Sequence, residues 1–477
     1  MGIGRKVGLI LGPLLFLIFL NSPELISGKE TANAVIAVAL WMVIWWITEA
    51  VSISVTALLP LILFPSLNVM PIAEVGNNYG SPIIFLFFGG FVLALALEKV
   101  NLHKRIALNI IRITGTTPDK VVLGFMIATA ALSMWISNTA STVVMLPIAM
   151  SVIGLLIKDK DGFTKNDKNF ALSVMLGIAF SANAGGIATV IGTPPNSVLI
   201  GLLENEYNIE ISFLKWMTFG LPFSALLVAI CYLVLVKWMF PNRQLQFNAS
   251  SKIINVELSK LGPISGKEKM VLAIFGVTVF LWIFRTVINR IFPDLGLSDT
   301  IISMMAAVSL FAIPYNLKKG DFIIKWADTS KLAWGILILF GGGLALANGM
   351  SSSGIVDIVS NAIATSDLTV LFTATLLILL MLFMTELMSN VALVAVLAPV
   401  VAGIAIGLEI PMLHLLIPVT IASSCAFMLP MATPPNAIVF ASGYIEVHQM
   451  ARVGIILNLI SVVLLVLMFQ FIFPLFF

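Results

Sequence analysis

Two short polar stretches interrupt long apolar runs of this sequence, and their positions limit the folds that are open to it. The polar stretches are Ser133–Ala140 and Thr385–Ala392, and the apolar runs around them are 121–157 and 370–408. Each half of such a run is too short to cross a bilayer comfortably, because a crossing helix needs about 20 apolar residues. The pattern therefore predicts two re-entrant hairpins, one in each run, with their polar tips inside the membrane.

The composition places the rest of the chain in the membrane as well. Hydrophobic residues make up 60% of the 477 positions and charged residues only 10%. Apolar segments of about 20 residues recur from end to end, which is typical of a helical membrane protein. We therefore expect an all-α polytopic membrane protein with eleven transmembrane helices besides the hairpins. The predicted crossings are 8–21, 32–48, 51–67, 81–98, 170–200, 213–236, 270–290, 298–316, 332–350, 411–441 and 453–475.

One offset relates the two halves of the chain, which indicates an internal repeat. A Phe-Gly-Gly motif, the Ser-Asn pair and a proline each recur after 252 residues, at 88–90 and 340–342, at 137–138 and 389–390, and at 147 and 399. Each repeat holds five crossings, an odd number, so the second should be inverted relative to the first, as in many secondary transporters. The predicted division is a first transmembrane span at 1–31, repeat 1 at 32–245, a cytoplasmic linker at 246–269 and repeat 2 at 270–477.

A Thr-Pro-Pro-Asn motif follows each polar stretch, at 193–196 and at 433–436. These copies are 240 residues apart, and the polar insertion 158–169 accounts for the twelve residues that the second half lacks. Proline removes a backbone donor and stops a helix, so each motif predicts a broken helix, with a purely structural kink as the alternative. Gly185, Gly186 and Gly192 should allow unusual backbone angles in the first break. Large apolar residues occupy that region of the second break, so the halves are not chemically equal.

The basic residues orient this topology in the membrane. All but four of the 26 lysines and arginines lie on one side of the predicted crossings. The exceptions are Lys29, Lys215, Arg285 and Arg290. By the positive-inside rule, the N-terminus is cytoplasmic and the C-terminus extracellular or periplasmic, as expected for a multi-pass protein of the plasma (inner) membrane. An amphipathic helix on the cytoplasmic surface is also expected, carrying Lys99, His103, Lys104, Arg105 and Arg112.

The polar tips combine groups that bind anions with groups that bind cations. Where a helix stops, its free N–H groups attract an anion, and its free carbonyls with Ser and Asn oxygens suit a hard cation such as Na⁺. Each tip could instead cap a helix in a packed interior, but two matched copies favour a binding site. Glu386 lies one turn before Ser389 and could balance the charge of a cation or pair with a polar neighbour. Glu49, near a helix end, could simply be solvated.

With these motifs in view, the chain resembles the divalent anion:sodium symporter family of di- and tricarboxylate transporters. The matching segments span nearly the whole chain and are 47–50 (Ile-Thr-Glu-Ala), 137–139 (Ser-Asn-Thr), 193–196, 339–343 (Leu-Phe-Gly-Gly-Gly), 385–386 (Thr-Glu), 389–390 and 433–436. The resemblance implies a homodimer, in which a transport domain moves like an elevator against a scaffold domain at the dimer contact.

The same resemblance implies a set of site residues. Substrate carboxylates would be held by the two tips and the residues of the breaks, namely Ser137, Asn138, Thr139, Ser389, Asn390, Val391, Thr193, Pro194, Thr433 and Pro434. One Na⁺ would lie near Ser133, Ser137, Asn138 and the backbone of Gly186, and another near Thr385, Asn390 and the backbone of Ala432. Val391 departs from the family pattern, because threonine is common there and valine offers no hydroxyl to the substrate.

The leading hypothesis is Na⁺-coupled uptake of C4-dicarboxylates such as succinate, malate and fumarate. Na⁺-independent dicarboxylate exchange and transport of sulfate or citrate are alternatives within the family, and an anion channel lined by the tips is the alternative from another class. No enzyme is expected, because neither a P-loop nor a convincing nucleophile–base or metal set is visible. The expected partners are the dicarboxylate, Na⁺ at two or more sites, the lipid bilayer and a second copy of the chain, without nucleic acid or organic cofactor.

Overall fold

The computed structural model describes residues 3–23, 30–115, 117–156, 164–241, 250–316, 318, 320–366 and 368–476. Parts of several predictions fall outside these ranges. They concern positions 1–2 and 24–29 of the first span, including Lys29, residue 157 at the end of the first hairpin, positions 158–163 of the polar insertion, the repeat boundary at 245/246 and the last residue of repeat 2. Within the described residues the chain is helical almost throughout, and its β-structure is one pair of short strands.

The described residues up to 241 form twelve α-helices. In order they are α1 (Ile3–Leu20), α2 (Glu30–Thr48), α3 (Ile53–Thr56), α4 (Leu59–Ser66), α5 (Ile72–Tyr79), α6 (Pro82–Lys99), α7 (Leu102–Thr114), α8 (Pro118–Ser133), α9 (Asn138–Leu156), α10 (Lys165–Gly186), α11 (Pro194–Tyr207) and α12 (Phe213–Tyr232). The last of these continues as a π-helix over Leu233–Met239.

The described residues from 250 onward form eleven more α-helices. They are α13 (Ser250–Leu261), α14 (Gly266–Ile291), α15 (Asp299–Ala312), α16 (Trp334–Ser352), α17 (Ile355–Ala364), α18 (Val370–Met384), α19 (Asn390–Gly407), α20 (Met412–Ser423), α21 (Pro434–Phe440), α22 (Val447–Leu467) and α23 (Phe473–Phe476). Strands β1 (Pro314–Asn316) and β2 (Asp321–Phe322) pair antiparallel between α15 and α16. The remaining helical turns are 3₁₀ at Pro293–Leu295 and Trp326–Lys331, and π at Met468–Ile472.

Seven helical segments among the described residues are long and apolar enough to cross a membrane. They are Thr31–Thr48, Ile72–Lys99, Phe213–Met239, Gly266–Ile291, Trp334–Ser352, Asn390–Gly407 and Val447–Ile472. Shorter apolar helices, of 10 to 17 residues, include the first arm of the second predicted hairpin, Val370–Met384. The prediction of an all-α polytopic membrane protein is confirmed, whereas the number of eleven crossings and the re-entrant entry of the hairpins stay predictions.

Two predicted crossings are shorter in the structure than the apolar pattern indicated, and prolines explain both differences. The predicted crossing 51–67 is divided into α3 and α4, and Pro60 lies in the first turn of α4. The predicted crossing 298–316 ends as a helix at Ala312, two residues before Pro314. Proline fits the start of a helix but not its interior, and it biases the preceding residue toward extended backbone.

The helices that follow the breaks pack across the two halves. Helices α9 and α19 begin at Asn138 and Asn390, 252 residues apart, and α11 and α21 begin at Pro194 and Pro434, 240 residues apart. Helix α11 packs on α19 and α20, whereas α21 packs on α9 and α10. Each half therefore places the helix after its break against the helix that begins at the other half's tip. The division into inverted repeats stays a prediction.

Helix α7 is amphipathic, as predicted, but Lys99 ends α6 and does not belong to it. Helix α7 is also tied to the second half rather than lying free on the surface. Arg105 forms two hydrogen bonds to the Glu268 carboxylate, of 2.6 and 3.3 Å, and donates to the carbonyls of Gly262 at 2.9 Å and Leu261 at 3.1 Å. His103 is buried, and its Nδ1 lies 2.9 Å from the Leu97 carbonyl oxygen, so this residue does not belong to the exposed face. The helix therefore joins the linker helix α13 to the start of α14.

The ion pairs among the described residues join partners that the predicted topology places on one side of the membrane. Arg285, predicted outside, pairs with Glu210 of the predicted outer loop at 2.7 Å. Lys104, predicted inside, pairs with Glu257 of the linker at 2.9 Å. This agreement fits the predicted order of crossings, because charged groups at opposite membrane surfaces could not touch. Which side faces the cytoplasm stays a prediction.

Replacement of Arg105 should destabilise the fold through the buried carboxylate that it leaves behind. The side chains of Arg105 and Glu268 are only 15% and 5% exposed. Loss of one partner from a buried pair costs roughly 3–5 kcal/mol in general. We expect Arg105→Met to lower the free energy of unfolding in detergent by about 3 kcal/mol, the lower end of that range, because the guanidinium retains some contact with solvent.

An exposed ion pair provides the control for this experiment. Lys168 lies 3.3 Å from Glu446, with side chains 47% and 59% exposed. Pairs of this kind contribute less than about 1 kcal/mol, so Lys168→Met should be nearly silent. Equal destabilisation by the two variants would contradict the tethering role of Arg105.

Candidate functional site

The first break lies between Gly186, where α10 ends, and Pro194, where α11 begins. The amide nitrogen of Asn196 donates to the Thr189 carbonyl at 2.9 Å and to the Gly186 carbonyl at 3.3 Å. The indole of Trp216 donates to the Ile187 carbonyl at 3.0 Å. Carbonyls that the broken helix can no longer satisfy therefore find side-chain donors, as an interior without water requires.

The second break repeats this closure at equivalent positions. The amide nitrogen of Asn436 donates to the Leu429 carbonyl at 3.0 Å and to the Ala426 carbonyl at 3.1 Å. These acceptors lie 240 residues after those of Asn196, which is also the spacing of the two motifs. The asparagine of Thr-Pro-Pro-Asn thus closes each break. The prolines of each motif predict the break itself. The asparagine at a fixed place after each break is the sequence signal for its closure.

The glycines of the first break serve close packing, and the expectation of unusual backbone angles is wrong. Neither Gly186 nor Gly192 has a positive φ. A Cβ on Gly192 would lie 2.5 Å from the Gly186 carbonyl oxygen, and a Cβ on Gly186 would lie 2.4 Å from Oδ1 of Asn138. The break therefore folds against itself and against the first tip, and a side chain at either glycine would separate them.

Oxygen atoms converge at the first tip, around Asn138. Ser133 Oγ donates to the Ala182 carbonyl at 2.7 Å and lies 2.6 Å from Asn138 Oδ1. Hydrogen bonding distinguishes the two orientations of the Asn138 amide in this cage. With its oxygen inward, Oδ1 faces Ser133 Oγ and the carbonyls of Gly192 and Ala182, and with the amide turned over, its nitrogen donates to these three oxygens at 2.6, 3.2 and 3.2 Å.

The two orientations of Asn138 differ in what they require of a ligand. With the nitrogen inward, the amide satisfies the cage by hydrogen bonds alone. With the oxygen inward, four oxygens face one another, and a cation would balance them. Of the residues predicted for the first cation, the structure brings Ser133, Asn138 and Gly186 together. Ser137 is exposed instead, and its Oγ accepts from the Ala140 N–H at 3.1 Å as a cap of α9.

The second tip holds its predicted residues in a different arrangement. Thr385 Oγ1 donates to the Ser423 carbonyl at 2.8 Å, which joins this tip to the end of α20. Ser389 caps α19 by accepting from the Ala392 N–H at 3.5 Å, and Asn390 Oδ1 accepts from the Val391 N–H at 2.9 Å. Among the described hydrogen bonds, none links Asn390 to Ala432. The second tip is therefore capped, and its hydroxyl and amide groups bond to the backbone of the protein.

The acidic residues singled out in the sequence have different surroundings. Glu386 is 3% exposed, and its carboxylate accepts hydrogen bonds from the second break and from Asn458. Glu49 is exposed and pairs with Arg5 at 3.0 Å. Of the two roles considered for Glu386, pairing with polar neighbours is therefore the one that the geometry displays, and Glu49 lies at the surface.

Asn183 links α10, the helix before the first break, to the second break, and the sequence motifs do not indicate it. Its amide nitrogen donates to Thr433 Oγ1 at 3.0 Å, to Asn436 Oδ1 at 3.3 Å and to the Ala426 carbonyl at 3.4 Å. Asn183 lies on α10, one turn before Gly186, which touches the first tip. A continuous set of contacts thus runs from the first tip through α10 to the second break. An amide inside an apolar helix was the available signal.

The predicted substrate residues surround these breaks with different exposure. Ser137 and Pro434 are exposed, whereas Thr139, Pro194, Ser389 and Asn390 are half-buried and Thr193, Thr433 and Val391 are buried. Three helices of at least 14 residues, α9, α11 and α19, begin at the tips and the first break. The sequence of both tips and both breaks contains no lysine, arginine or histidine. An anion would therefore meet helix N-termini and neutral donors here.

Comparison with known proteins identifies similar chains over the full length. A family model described as the transmembrane region of sodium:sulfate symporters matches residues 6–476. A protein named sodium-dependent dicarboxylate transporter SdcS from Staphylococcus saprophyticus is 41% identical over 482 residues, covering 99% of this chain and 92% of that protein. The protein of the same name from Staphylococcus aureus (strain USA300) is 38% identical over 478 residues, with the same coverage.

Two solved structures resemble this fold at low sequence identity. The YdaH transporter of Alcanivorax borkumensis superposes with a TM-score of 0.57 at 14% identity, covering 84% of this chain and 88% of that one. The efflux pump MtrF of Neisseria gonorrhoeae superposes with a TM-score of 0.51 at 12% identity, covering 98% of this chain and 94% of that one. Similarity at such identities concerns the fold alone.

Substitution of Gly186 tests the packing of the first tip. Because a Cβ there would lie 2.4 Å from Asn138 Oδ1 and 3.1 Å from the Gly192 carbonyl, Gly186→Ala should lower the free energy of unfolding. The expected loss is about 1–3 kcal/mol, as for other overpacked sites. Gly276→Ala is the control, because nothing lies within 4 Å of that Cβ in the interior of α14. It should be neutral or stabilising by up to about 1 kcal/mol, and similar losses for both would refute the close contact.

Proposed function

The chain belongs to the sodium:sulfate symporter family, and from that membership we propose that it transports C4-dicarboxylates such as succinate, malate and fumarate in symport with Na⁺. The match of residues 6–476 confirms the family that the motifs indicated. Full-length relatives named sodium-dependent dicarboxylate transporters, at 38–41% identity, support this substrate class and this cation. The observation that carries the proposal is the oxygen cage around Asn138 at the N-terminus of α9.

Na⁺ binding at the first tip follows from the two orientations of Asn138. With the nitrogen inward, the amide donates to the oxygens of Ser133, Gly192 and Ala182. A bound Na⁺ replaces those hydrogen bonds, and the amide turns its oxygen toward the cation, because hard cations prefer oxygen ligands. Since Asn138 is also the first residue of α9, the cation lies beside the helix start that faces the substrate, and its charge attracts the anion at short range. Cation binding and anion binding are thereby coupled at one residue.

The dicarboxylate is held by neutral groups in this proposal. One carboxylate meets Ser137, Asn138 and Thr139 at the start of α9, and the other meets Ser389 and Asn390 at the start of α19. Each helix N-terminus offers free N–H groups and a partial positive charge, worth roughly 0.3–1 kcal/mol per charge at exposed sites. The packing of α11 on α19 and of α21 on α9 supports a single shared site, because it interleaves the two tips.

The larger assembly and its motion are proposed from the family. Two copies form a homodimer through scaffold helices, and the transport domain with both tips moves across the membrane as an elevator. The N-terminus lies in the cytoplasm and the C-terminus outside the cell. The hydrogen bonds from α7 to α13 and α14 support a rigid scaffold region on the inner side, because Arg105 and Lys104 hold α7 to the linker.

Uptake of labelled succinate into proteoliposomes tests the proposal. An inward Na⁺ gradient should stimulate uptake strongly relative to an equal K⁺ gradient, and unlabelled malate and fumarate should compete. Equal rates in both gradients would refute symport, and counterflow that requires internal dicarboxylate without Na⁺ would favour exchange. Sulfate is the second candidate substrate because the matched family model names it. Competition by sulfate that exceeds competition by fumarate would replace the dicarboxylate proposal.

Removal of either tip amide should impair transport. Asn138→Ala deletes the oxygen that completes the cage, and Asn390→Ala deletes the amide at the second tip. We expect each variant to lose at least about tenfold in Na⁺-driven uptake, corresponding to ~1.4 kcal/mol or more. Asn109→Ala is the control, because that amide donates to the Arg105 carbonyl within helix α7 and bonds to neither tip. Wild-type transport by both tip variants would show that the tips are structural caps.

Unequal tips should bind the two carboxylates unequally. Thr139 can donate a hydrogen bond to a carboxylate, whereas Val391 cannot. Thr139→Val should therefore weaken succinate binding more than Val391→Ala does. Val391→Thr should tighten binding by less than about tenfold, or ~1.4 kcal/mol, because desolvation of the new hydroxyl offsets part of the hydrogen bond. The affinity for succinate should be measured at saturating Na⁺ for all three variants. If Val391→Ala weakens binding as much as Thr139→Val does, residue 391 acts by packing.

A further inference from the structure

Glu386 lies in the turn between α18 and α19, immediately after Thr385 of the predicted second cation site. Its carboxylate is buried and accepts hydrogen bonds from three consecutive backbone N–H groups. Phe427 and Met428 donate to Oε1 at 2.9 and 3.0 Å, and Leu429 donates to Oε2 at 3.1 Å. The amide nitrogen of Asn458, on α22, donates to Oε1 at 2.7 Å. Four donors therefore surround one buried negative charge.

The three backbone donors belong to a segment without regular secondary structure. Residues 427–429 follow α20 and precede the Thr-Pro-Pro-Asn motif of the second break. Successive N–H groups that point at one anion form a nest, an arrangement that binds anions in many proteins. Here the anion is a side chain of the protein itself. The nest would lose its shape without the carboxylate, because its N–H groups would then be unsatisfied in an interior without water.

The first half contains a hydrogen bond between the same two positions, also donated by the break to the tip, but with side chain and backbone exchanged. The position equivalent to Glu386 is Met134, 252 residues earlier, and the position equivalent to Leu429 is Thr189, 240 residues earlier. Thr189 Oγ1 donates to the Met134 carbonyl at 2.6 Å. In the first half the break supplies the side chain and the tip supplies the backbone. In the second half the tip supplies the side chain and the break supplies the backbone.

We propose that Glu386 is a positioning residue that fixes the second break for cation binding by filling the N–H nest of residues 427–429. This role rests on the proposed function, since the second cation site is part of it. Ala432, whose carbonyl is a predicted cation ligand, lies three residues after the nest, and its N–H donates to the Leu429 carbonyl at 3.2 Å. The position of Leu429 therefore sets the position of Ala432.

The four donors also bear on whether Glu386 binds the cation directly. Both carboxylate oxygens already accept hydrogen bonds, and those donors point their positive ends at the carboxylate. Oε1 accepts three of the four hydrogen bonds and Oε2 accepts one, so a cation bound to Oε1 would have to displace a donor. In the positioning role, the carboxylate acts on the cation through the shape of the break and not as its ligand. A direct ligand role and a positioning role predict different measurements.

Hydrogen–deuterium exchange of the purified full-length protein gives a test that does not depend on transport. In Glu386→Gln, the amide keeps one acceptor oxygen but turns an N–H₂ donor toward the nest, so at least one backbone N–H loses its partner. We expect exchange at residues 427–429 to be at least fivefold faster than in the wild type, with exchange at residues 187–193 of the first break unchanged. Faster exchange in both breaks would indicate general destabilisation and overturn the proposal, as would unchanged exchange in both.

Transport kinetics supply the second test. Glu386→Gln should raise the Na⁺ concentration for half-maximal succinate uptake at least fivefold while the KM for succinate at saturating Na⁺ changes less than twofold. Thr189→Val, which removes the first-half hydrogen bond, is the matched variant and should leave exchange at 427–429 unchanged. A changed preference between Li⁺ and Na⁺ with normal exchange at 427–429 would show that Glu386 is a ligand and overturn the positioning role.

A milder variant keeps the proposal testable if Glu386→Gln does not fold. Asn458→Leu removes one of the four donors and leaves the carboxylate in place. It should shift exchange at 427–429 and the half-maximal Na⁺ concentration in the same direction by a smaller factor, about twofold. No shift in either quantity would overturn the proposal. Failure of the proposed function would be visible separately, as wild-type uptake that ignores Na⁺, and the exchange measurement would still decide the positioning role.

Discussion

A broken helix inside a membrane must satisfy its own backbone, and this constraint governs the rest of the structure. Lipid offers no hydrogen bonds, so each free carbonyl or N–H group at membrane depth needs a partner within the protein. Asn196 and Asn436 meet that need by bridging two carbonyls in each break. Once the breaks are closed in this way, a new helix can begin at each Pro-Pro pair. The groups that remain available at the tips are those that a ligand can use.

The two halves satisfy their broken backbones with the same arrangement of helices and breaks but with different side chains. The first tip gathers neutral oxygens around Asn138, and a threonine hydroxyl ties it to its break. In the second half the side chain comes from the tip instead, as the Glu386 carboxylate that accepts from the break, and Asn390 Oδ1 accepts from the Val391 N–H of its own helix. A repeated fold therefore does not imply two equal cation sites. Asn183, which bonds to the second break from α10, makes the two breaks parts of one hydrogen-bonded interior.

Much of this architecture could be predicted from the sequence because it is encoded in local patterns. The apolar runs indicated the membrane helices, and the repeated Ser-Asn and Thr-Pro-Pro-Asn motifs indicated the starts of α9, α19, α11 and α21. Contacts between distant residues left no comparable pattern. Asn183 and Thr433 are 250 residues apart, and nothing in either neighbourhood shows that they touch. The burial of His103 and the packing role of Gly186 were missed for the same reason, since both depend on neighbours from other segments.

The distribution of charge around the tips gives the proposed coupling a physical basis. No lysine, arginine or histidine occurs in either tip or either break, and the fixed charge there is the carboxylate of Glu386. A divalent anion that entered such a site alone would face a low-dielectric interior with only partial positive charges from helix N-termini. Two bound Na⁺ ions would neutralise it at short range, where Coulomb attraction between unit charges amounts to about 4 kcal/mol at 4 Å for an effective dielectric constant of 20. A permanent basic side chain would supply the same attraction without Na⁺, and binding would then be independent of the gradient. In the proposed mechanism, the absence of basic residues from these segments of the sequence would leave the anion dependent on the bound cation for its attraction.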